Sequence, residues 1–267
     1  MNLITSSSNP LIKQVKSLKY RKNREEADLF FIEGLRLVGE ALKEKADIVK
    51  VLVSEQFAKD NDEKDILLQV EAGSYEAFVL PDRLFKEICD TEAPQGILAI
   101  VKMKPFCLDD ILSGDNHIIM LDSLQDPGNM GTIIRTADAA GFSGVIVTKG
   151  CVDLYNPKVL RATMGSIFHM PLCFVEDALD ALKLLKSRNI KVYAAHLSGS
   201  HNYFELDLKG NIVIIIGNEA NGISEEIAAS ADRLVRIPMF GKAESLNASV
   251  AAGLLMYEVL RQRMAGL

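Results

Sequence analysis

The chain is poor in the residues that build cross-links and metal sites. Its four cysteines, Cys89, Cys107, Cys151 and Cys173, are scattered and include no CxxC pair. Neither a disulfide framework nor a zinc site is expected from that spacing. The four histidines, His117, His169, His196 and His201, likewise lack metal-ligand spacing, so no metal is expected. No stretch approaches the ~20 apolar residues of a membrane span. The opening MNLITSSSNPLIKQVK has no apolar core of the signal-peptide kind, so a cytoplasmic protein without a membrane partner is expected. Internal repeats and low-complexity tracts are missing too. What remains is an ordinary globular composition, 48% hydrophobic and 25% charged over 267 residues. That length suffices for one large domain or two modest ones.

Positive charge is outnumbered overall, 30 Lys and Arg against 36 Asp and Glu, and the net charge of −6 argues against a nucleic-acid partner. The average hides a local excess. Residues 1–24 carry Lys13, Lys16, Lys19, Arg21, Lys22 and Arg24 and no acidic residue. A solvated helix face explains such a run as readily as a phosphate-binding one, so by itself the run decides nothing.

The pattern divides the chain in two. In the first part, residues 9–20 read as a helix with Asn9 as N-cap and Pro10 at the first helical position, and residues 33–45 repeat apolar residues at helical spacing. Residues 48–54 (IVKVLVS), 76–80 (EAFVL) and 96–102 (GILAIVK) read as strands. Strands interleaved with helices predict a small α/β domain over 1–103. Residues 104–116 lose regular pattern and are expected to be a linker. The second domain, 117–267, has a cleaner rhythm: HIIMLDSL, GVIVTKG, PLCFVE, IKVYAAHL and NIVIIIG, then the weaker VRIPM, with helical patterns between most of them. Near-continuous β-branched strands alternating with helices predict a mostly parallel sheet buried on both faces. Ligands of such sheets bind outside the carboxyl ends of the strands.

Three blocks follow those ends. Residues 121–142, LDSLQDPGNMGTIIRTADAAGF, predict a strand to Leu124, a polar turn, and a helix from about Asn129 to Ala140 stopped by Gly141. Asn129 at the helix start has an N-cap reading. Arg135 is flanked by Ile133, Ile134, Ala137 and Ala140, which read as buried. Residues 212–224, IVIIIGNEANGIS, run a strand into a glycine-bordered loop. The spacing imitates a phosphate-binding loop, but Ile223 stands where that motif needs lysine and Glu219 would repel a triphosphate. Gly217 and Gly222 suit close approach of a ligand to the backbone. Residues 236–258, RIPMFGKAESLNASVAAGLLMYE, end a short strand at Ile237-Pro238-Met239. A loop then leads through Ser245, Leu246 and Asn247 into a small-residue helix whose Ala248, Ala251, Ala252 and Gly253 permit tight packing.

Taken together, DPGNMGTIIRTADAAGF, IIIGNEANGIS and IPMFGKAESLNASVAAG closely resemble the three signature motifs of the SpoU (TrmH) family. These are RNA ribose 2′-O-methyltransferases of the knotted SPOUT class, and the resemblance spans 117–264. Residues 1–102 resemble, more loosely, the family's ribosomal-protein-like RNA-binding domain, on the basic first helix, FFIEGLRLVGEAL and QGILAIV.

The resemblance implies a deep trefoil knot around the second and third blocks, an exception to ordinary topology. It also implies S-adenosylmethionine as cofactor, held at Gly217, Ile237 and Leu246 with Asn218 and Met239 as neighbours, and a homodimer with the last helix at the interface. Central roles fall on Arg135, Asn129, Glu219, Ser245 and Asn247. A guanidinium is a poor base, so Arg135 is expected to hold phosphate and stabilise charge developing on the 2′ oxygen. Glu219 would hold Arg135 or Asn129, and Asn129 and Asn247 would orient the ribose. On this view the six cations of residues 1–24 become phosphate contacts. Ribosomal RNA is favoured over tRNA as substrate. A tRNA 2′-O-methyltransferase, a base methyltransferase of the same class, and a non-catalytic RNA-binding or ribosome-assembly factor on the same fold are the alternatives.

Overall fold

The aliphatic runs of the sequence form two sheets in a computed structural model that describes residues 1–60, 64–73, 75–104, 106–112 and 114–265. The chain divides into two compact units, one of Met1–Lys104 with Tyr155–Phe168, and a second of Pro105–Leu154 with His169–Leu267. The first unit thus includes a segment that the pattern assigned to the second domain.

In the first unit the chain runs β1 (Asn2–Leu3), α1 (Pro10–Ser17), α2 (Arg21–Ala27), β2 (Leu29–Glu33), α3 (Leu35–Lys43), β3 (Ile48–Ser54), α4 (Glu55–Lys59), α5 (Lys64–Ala72), β4 (Glu76–Leu80), α6 (Asp82–Ile88) and β5 (Ile97–Lys102). The sheet order is β1-β4-β3-β5-β2, with β3 parallel to β4 and antiparallel to β5. Asn9 caps α1, accepting from the Leu11 N–H at 2.9 Å, and Pro10 opens it. Ile12, Val15 and Leu18 then join Phe31, Leu52, Phe85 and Ile100 in one hydrophobic core. Glu33, read above as opening a helix, closes β2 instead. Gly34 (φ +94°) separates strand from helix, and the buried Glu33 carboxylate accepts from the N–H groups of Asp90 (2.8 Å) and Thr91 (3.0 Å).

The second unit continues with α7 (Leu108–Ile111), β6 (His117–Leu121), α8 (Pro127–Ala139), β7 (Gly144–Thr148), α9 (Pro157–Thr163, in the first unit), β8 (Leu172–Val175), α10 (Ala178–Ser187), β9 (Lys191–Ala195), β10 (His201–Asn202), β11 (Ile212–Ile216), α11 (Glu225–Ser230), β12 (Arg233–Arg236) and α12 (Ala248–Met264). The stretch expected to be a linker carries α7, whose Ile111 is buried in the second unit's core. All seven strands pair in parallel, in the order β10-β12-β9-β11-β6-β7-β8. Every residue of β6, β7 and β11 is buried, as a parallel sheet covered on both faces requires. Each such Ile or Val contributes about 1.5–3 kcal/mol as an upper estimate. The third block's strand ends at Arg236, so Ile237-Pro238-Met239 belong to the loop.

Candidate functional site

Strands β6 and β11 are neighbours, and beyond their carboxyl ends lie the loops of the first two blocks. From β6 the chain continues outward to β7 and β8, whereas β9 and β12 lie on the far side of β11, so this edge is a topological switch point.

The first loop is shaped by two aspartates that the sequence pattern did not single out. Asp126 is the N-cap of α8, accepting from the Asn129 N–H at 2.7 Å, and Pro127 follows it at the first helical position. An Asp-Pro pair before an apolar-periodic run is a helix-start signal, and it would have placed the helix two residues earlier. Asn129 is therefore not the cap. It sits in the first turn, 8% exposed, with its amide free to reach other loops. Asp122, also buried, accepts from the Ser224 N–H at 3.1 Å and so ties the first loop to the start of α11.

In the second loop Gly217 is enforced by the chain itself: a Cβ there would lie 2.3 Å from the Gly222 carbonyl carbon. Gly222 has φ +71°, a left-handed conformation that favours glycine. Both glycines thus answer to the tight turn, where close ligand approach was expected. Asn218 and Gly222 exchange backbone hydrogen bonds of 2.9 Å, and the Asn218 amide donates to the Ser123 carbonyl at 2.9 Å. Its oxygen accepts from the N–H groups of Ala220 and Asn221, so the whole side chain holds the loop in shape.

The turn presents Glu219 to the first loop. Its carboxylate accepts from Asn129 Nδ2 at 2.9 Å and from the N–H groups of Asp126 and Gln125 at 3.3 and 3.4 Å. Partial withdrawal from water pushes this carboxyl up. The Asn129 amide and the N–H groups of Glu219 itself, Gln125 and Asp126 outweigh that effect, so it titrates below its ordinary value.

From the third block, Asn247 caps α12, its oxygen accepting from the N–H groups of Ser249 (2.9 Å) and Val250 (3.3 Å). Its Nδ2 donates to Asn129 Oδ1 at 2.9 Å. Cap and site are therefore two ends of one side chain. Glu219, Asn129 and Asn247 form a continuous chain of hydrogen bonds that joins all three blocks, with Asn129 as the middle link.

The other expected residues are placed differently. Arg135 is exposed on α8, and among the described residues its guanidinium has no partner, neither Glu219 nor any other. Ser245 is exposed and likewise unbonded among them. Ile237, Met239 and Leu246 are half-buried on a loop in which no backbone N–H or C=O of 237–246 forms a backbone hydrogen bond among the described residues. Half-buried aliphatic side chains beside uncommitted backbone donors and acceptors fit the adenine and ribose of a nucleoside cofactor.

Of the basic run in the first unit, Arg24 is buried at 3% exposure, with Nη1 donating to the Leu18 carbonyl at 2.7 Å. This places it out of reach of a phosphate and corrects the expectation for it. Its guanidinium satisfies a helix-end carbonyl beneath the surface. Lys16 pairs with Glu87, Arg21 with Glu25 and Lys22 with Glu26, all exposed, and Lys19 donates to the Cys89 carbonyl at 2.6 Å. Lys13 is exposed and unpaired among the described residues.

The SpoU rRNA methylase family model matches residues 116–257, and the MRM3-like substrate binding domain model matches 9–99. The chain is 35% identical over 260 residues to the 23S rRNA (guanosine(2553)-2′-O)-methyltransferase RlmP of Bacillus subtilis (strain 168), covering 97% of this chain and 99% of that one. It is 31% identical over 268 residues to the 23S rRNA (uridine(2479)-2′-O)-methyltransferase of Streptomyces viridochromogenes, covering 98% and 93%. The crystal structure of the SpoU methyltransferase AviRb from Streptomyces viridochromogenes in complex with AdoMet superposes with TM-score 0.89 at 30% identity, over 97% of this chain and 100% of that one. With its three motifs joined at one sheet edge and the match running nearly end to end, the chain belongs to the SpoU rRNA methylase family.

Proposed function

We propose that this protein transfers the methyl group of S-adenosylmethionine to a ribose 2′-OH of ribosomal RNA, in the cytoplasm. The observation that carries the reading is the Glu219–Asn129–Asn247 chain, which locks the three motif loops into one polar surface at the switch point. Full-length similarity to two 23S rRNA enzymes favours ribosomal RNA over tRNA.

When bound, the cofactor would supply a sulfonium methyl for in-line transfer to the 2′ oxygen, the neutral thioether being the leaving group and the hydroxyl proton passing to water. Gly217, Asn218, Ile237, Met239 and Leu246 would hold the cofactor, the aliphatic side chains by burial and the loop backbone by hydrogen bonds. Asn129 and Asn247 orient the ribose, and Glu219 fixes the rotamer of Asn129. Arg135 carries no internal carboxylate, so its guanidinium can take the target phosphate in a bidentate grip and stabilise charge on the 2′ oxygen. Of the basic run, Lys13 and the exposed Lys16, Arg21 and Lys22 contact phosphates, their surface pairs being weak enough to exchange.

The same reading includes a homodimer and a trefoil knot around the second and third blocks. Val250, Leu254 and Tyr257 stand exposed on α12 and, with Tyr203, Gly253 and Glu258, line an open groove of about 460 Å³ that suits a second copy. The test is incubation with labelled S-adenosylmethionine and total RNA from cells lacking the enzyme, then nuclease digestion and nucleoside mass spectrometry. A 2′-O-methylnucleoside from ribosomal RNA is expected. Methyl on a base, or no transfer with no cofactor binding by calorimetry, would refute the reading.

A further inference from the structure

The loop between β12 and α12 carries an aromatic side chain with no structural employment. Phe240 is 98% exposed, and an added Cβ at the adjacent Gly241 would meet nothing within 4 Å, so this part of the loop projects into solvent. Residues 240–245 are all exposed, and neither Lys242 nor Glu244 has a partner among the described residues. Seven residues after Phe240, the same loop ends at Asn247, whose amide bonds to Asn129 in the candidate site. The exposed ring is therefore tethered to the site by a short chain.

In paired RNA the 2′-OH lies in the minor groove between its neighbours, and drawing its nucleotide out of the stack opens the line of approach that in-line displacement needs. The freed base then needs a new surface. Aromatic rings provide one, because every base has a π-face, and single-stranded RNA is bound in this way. We propose that Phe240 is a stacking platform for an unpaired nucleobase at or beside the target nucleotide, with Lys242 on an adjoining phosphate. The proposal rests on the RNA methyltransferase reading above and adds a residue that determines how substrate is held.

The test replaces Phe240 and reads RNA and cofactor separately. Its exposure means that substitution leaves the fold intact. F240A is expected to raise KM for total RNA by roughly 5- to 150-fold, the range for loss of one stacked base, with S-adenosylmethionine affinity unchanged. F240Y retains function, while F240L behaves like F240A because it is apolar without a π-face. F240W emission should be quenched by a mixed-sequence single-stranded RNA 12-mer and not by the duplex it forms with its complement. Emission blind to the single strand, F240L equal to wild type, or dissociation of an F240A dimer in sedimentation would each overturn the proposal, the last by assigning Phe240 to a contact between copies. Wild-type protein that transfers no methyl to total RNA sinks the functional reading instead, and the emission titration still decides the stacking.

Discussion

Asn129 bonds to both other motif loops at once, so replacing it probes the site as a unit. Asn129→Ala removes the 2.9 Å bond to Glu219 and the 2.9 Å bond from Asn247. A neutral hydrogen bond contributes about 0.5–1.5 kcal/mol and one to a carboxylate about 1.5–3 kcal/mol, the latter discounted because Glu219 is solvent-exposed. The expected loss is about 2 kcal/mol, or ~4–8 °C in Tm at this chain length. Catalysis should suffer more, since an ångström-scale misplacement costs ~100-fold. Asn129→Asp separates the two effects. The introduced carboxylate would face Glu219 at hydrogen-bond distance, so the pair must retain one proton and its apparent pKa rises. A raised folded-state pKa gives stability that is present at low pH and lost as pH rises through it. N129D activity and Tm should therefore recover on mild acidification while N129A stays flat. Wild-type protein responds with the opposite sign: Glu219 titrates below its ordinary value, so its contribution is present above that value and lost as pH falls. Single-turnover methylation and thermal melts across a pH series measure all three. N129A turnover within about threefold of wild type, or N129D without acid recovery, would refute the reasoning.

Arg135→Lys keeps the charge but loses the planar fork, so turnover should fall at least tenfold while Tm stays within about 0.5 kcal/mol equivalent, as the side chain is exposed and its guanidinium has no partner among the described residues. Kinetics and melting on the same preparation check this. Gly217→Ala must move the 222–223 backbone; a cost of ~1–3 kcal/mol and loss of cofactor affinity are expected by melting and calorimetry. Arg24→Met should lower Tm and leave the salt dependence of RNA binding unchanged, whereas Lys13→Gln should reduce the slope of log K against log salt by about 0.7–0.9 with no change in Tm.

Much of this molecule was determined by local sequence. The fully buried β6, β7 and β11 were legible because a strand covered on both faces must be apolar throughout, and Asn9-Pro10 announced α1 because capping is local chemistry. The first two blocks could be found because each directly follows such a strand, whereas the third follows β12, in which only Val235 is buried. Tertiary structure decided the rest. Whether Arg24 faced solvent or core depended on where α2 packed, which a run of six cations cannot encode. Gly217 is glycine because residues 222–223 fold back upon it, a contact invisible along the chain. The side-chain choice between cap and site was also tertiary: Asp126 took the cap of α8, which released Asn129 to join residues 90 and 118 positions away. A hydrogen bond over such separations exists only once the parallel sheet has set β6 beside β11 and brought α12 back to its edge. Local chemistry therefore identified the groups, while strand order decided which of them meet.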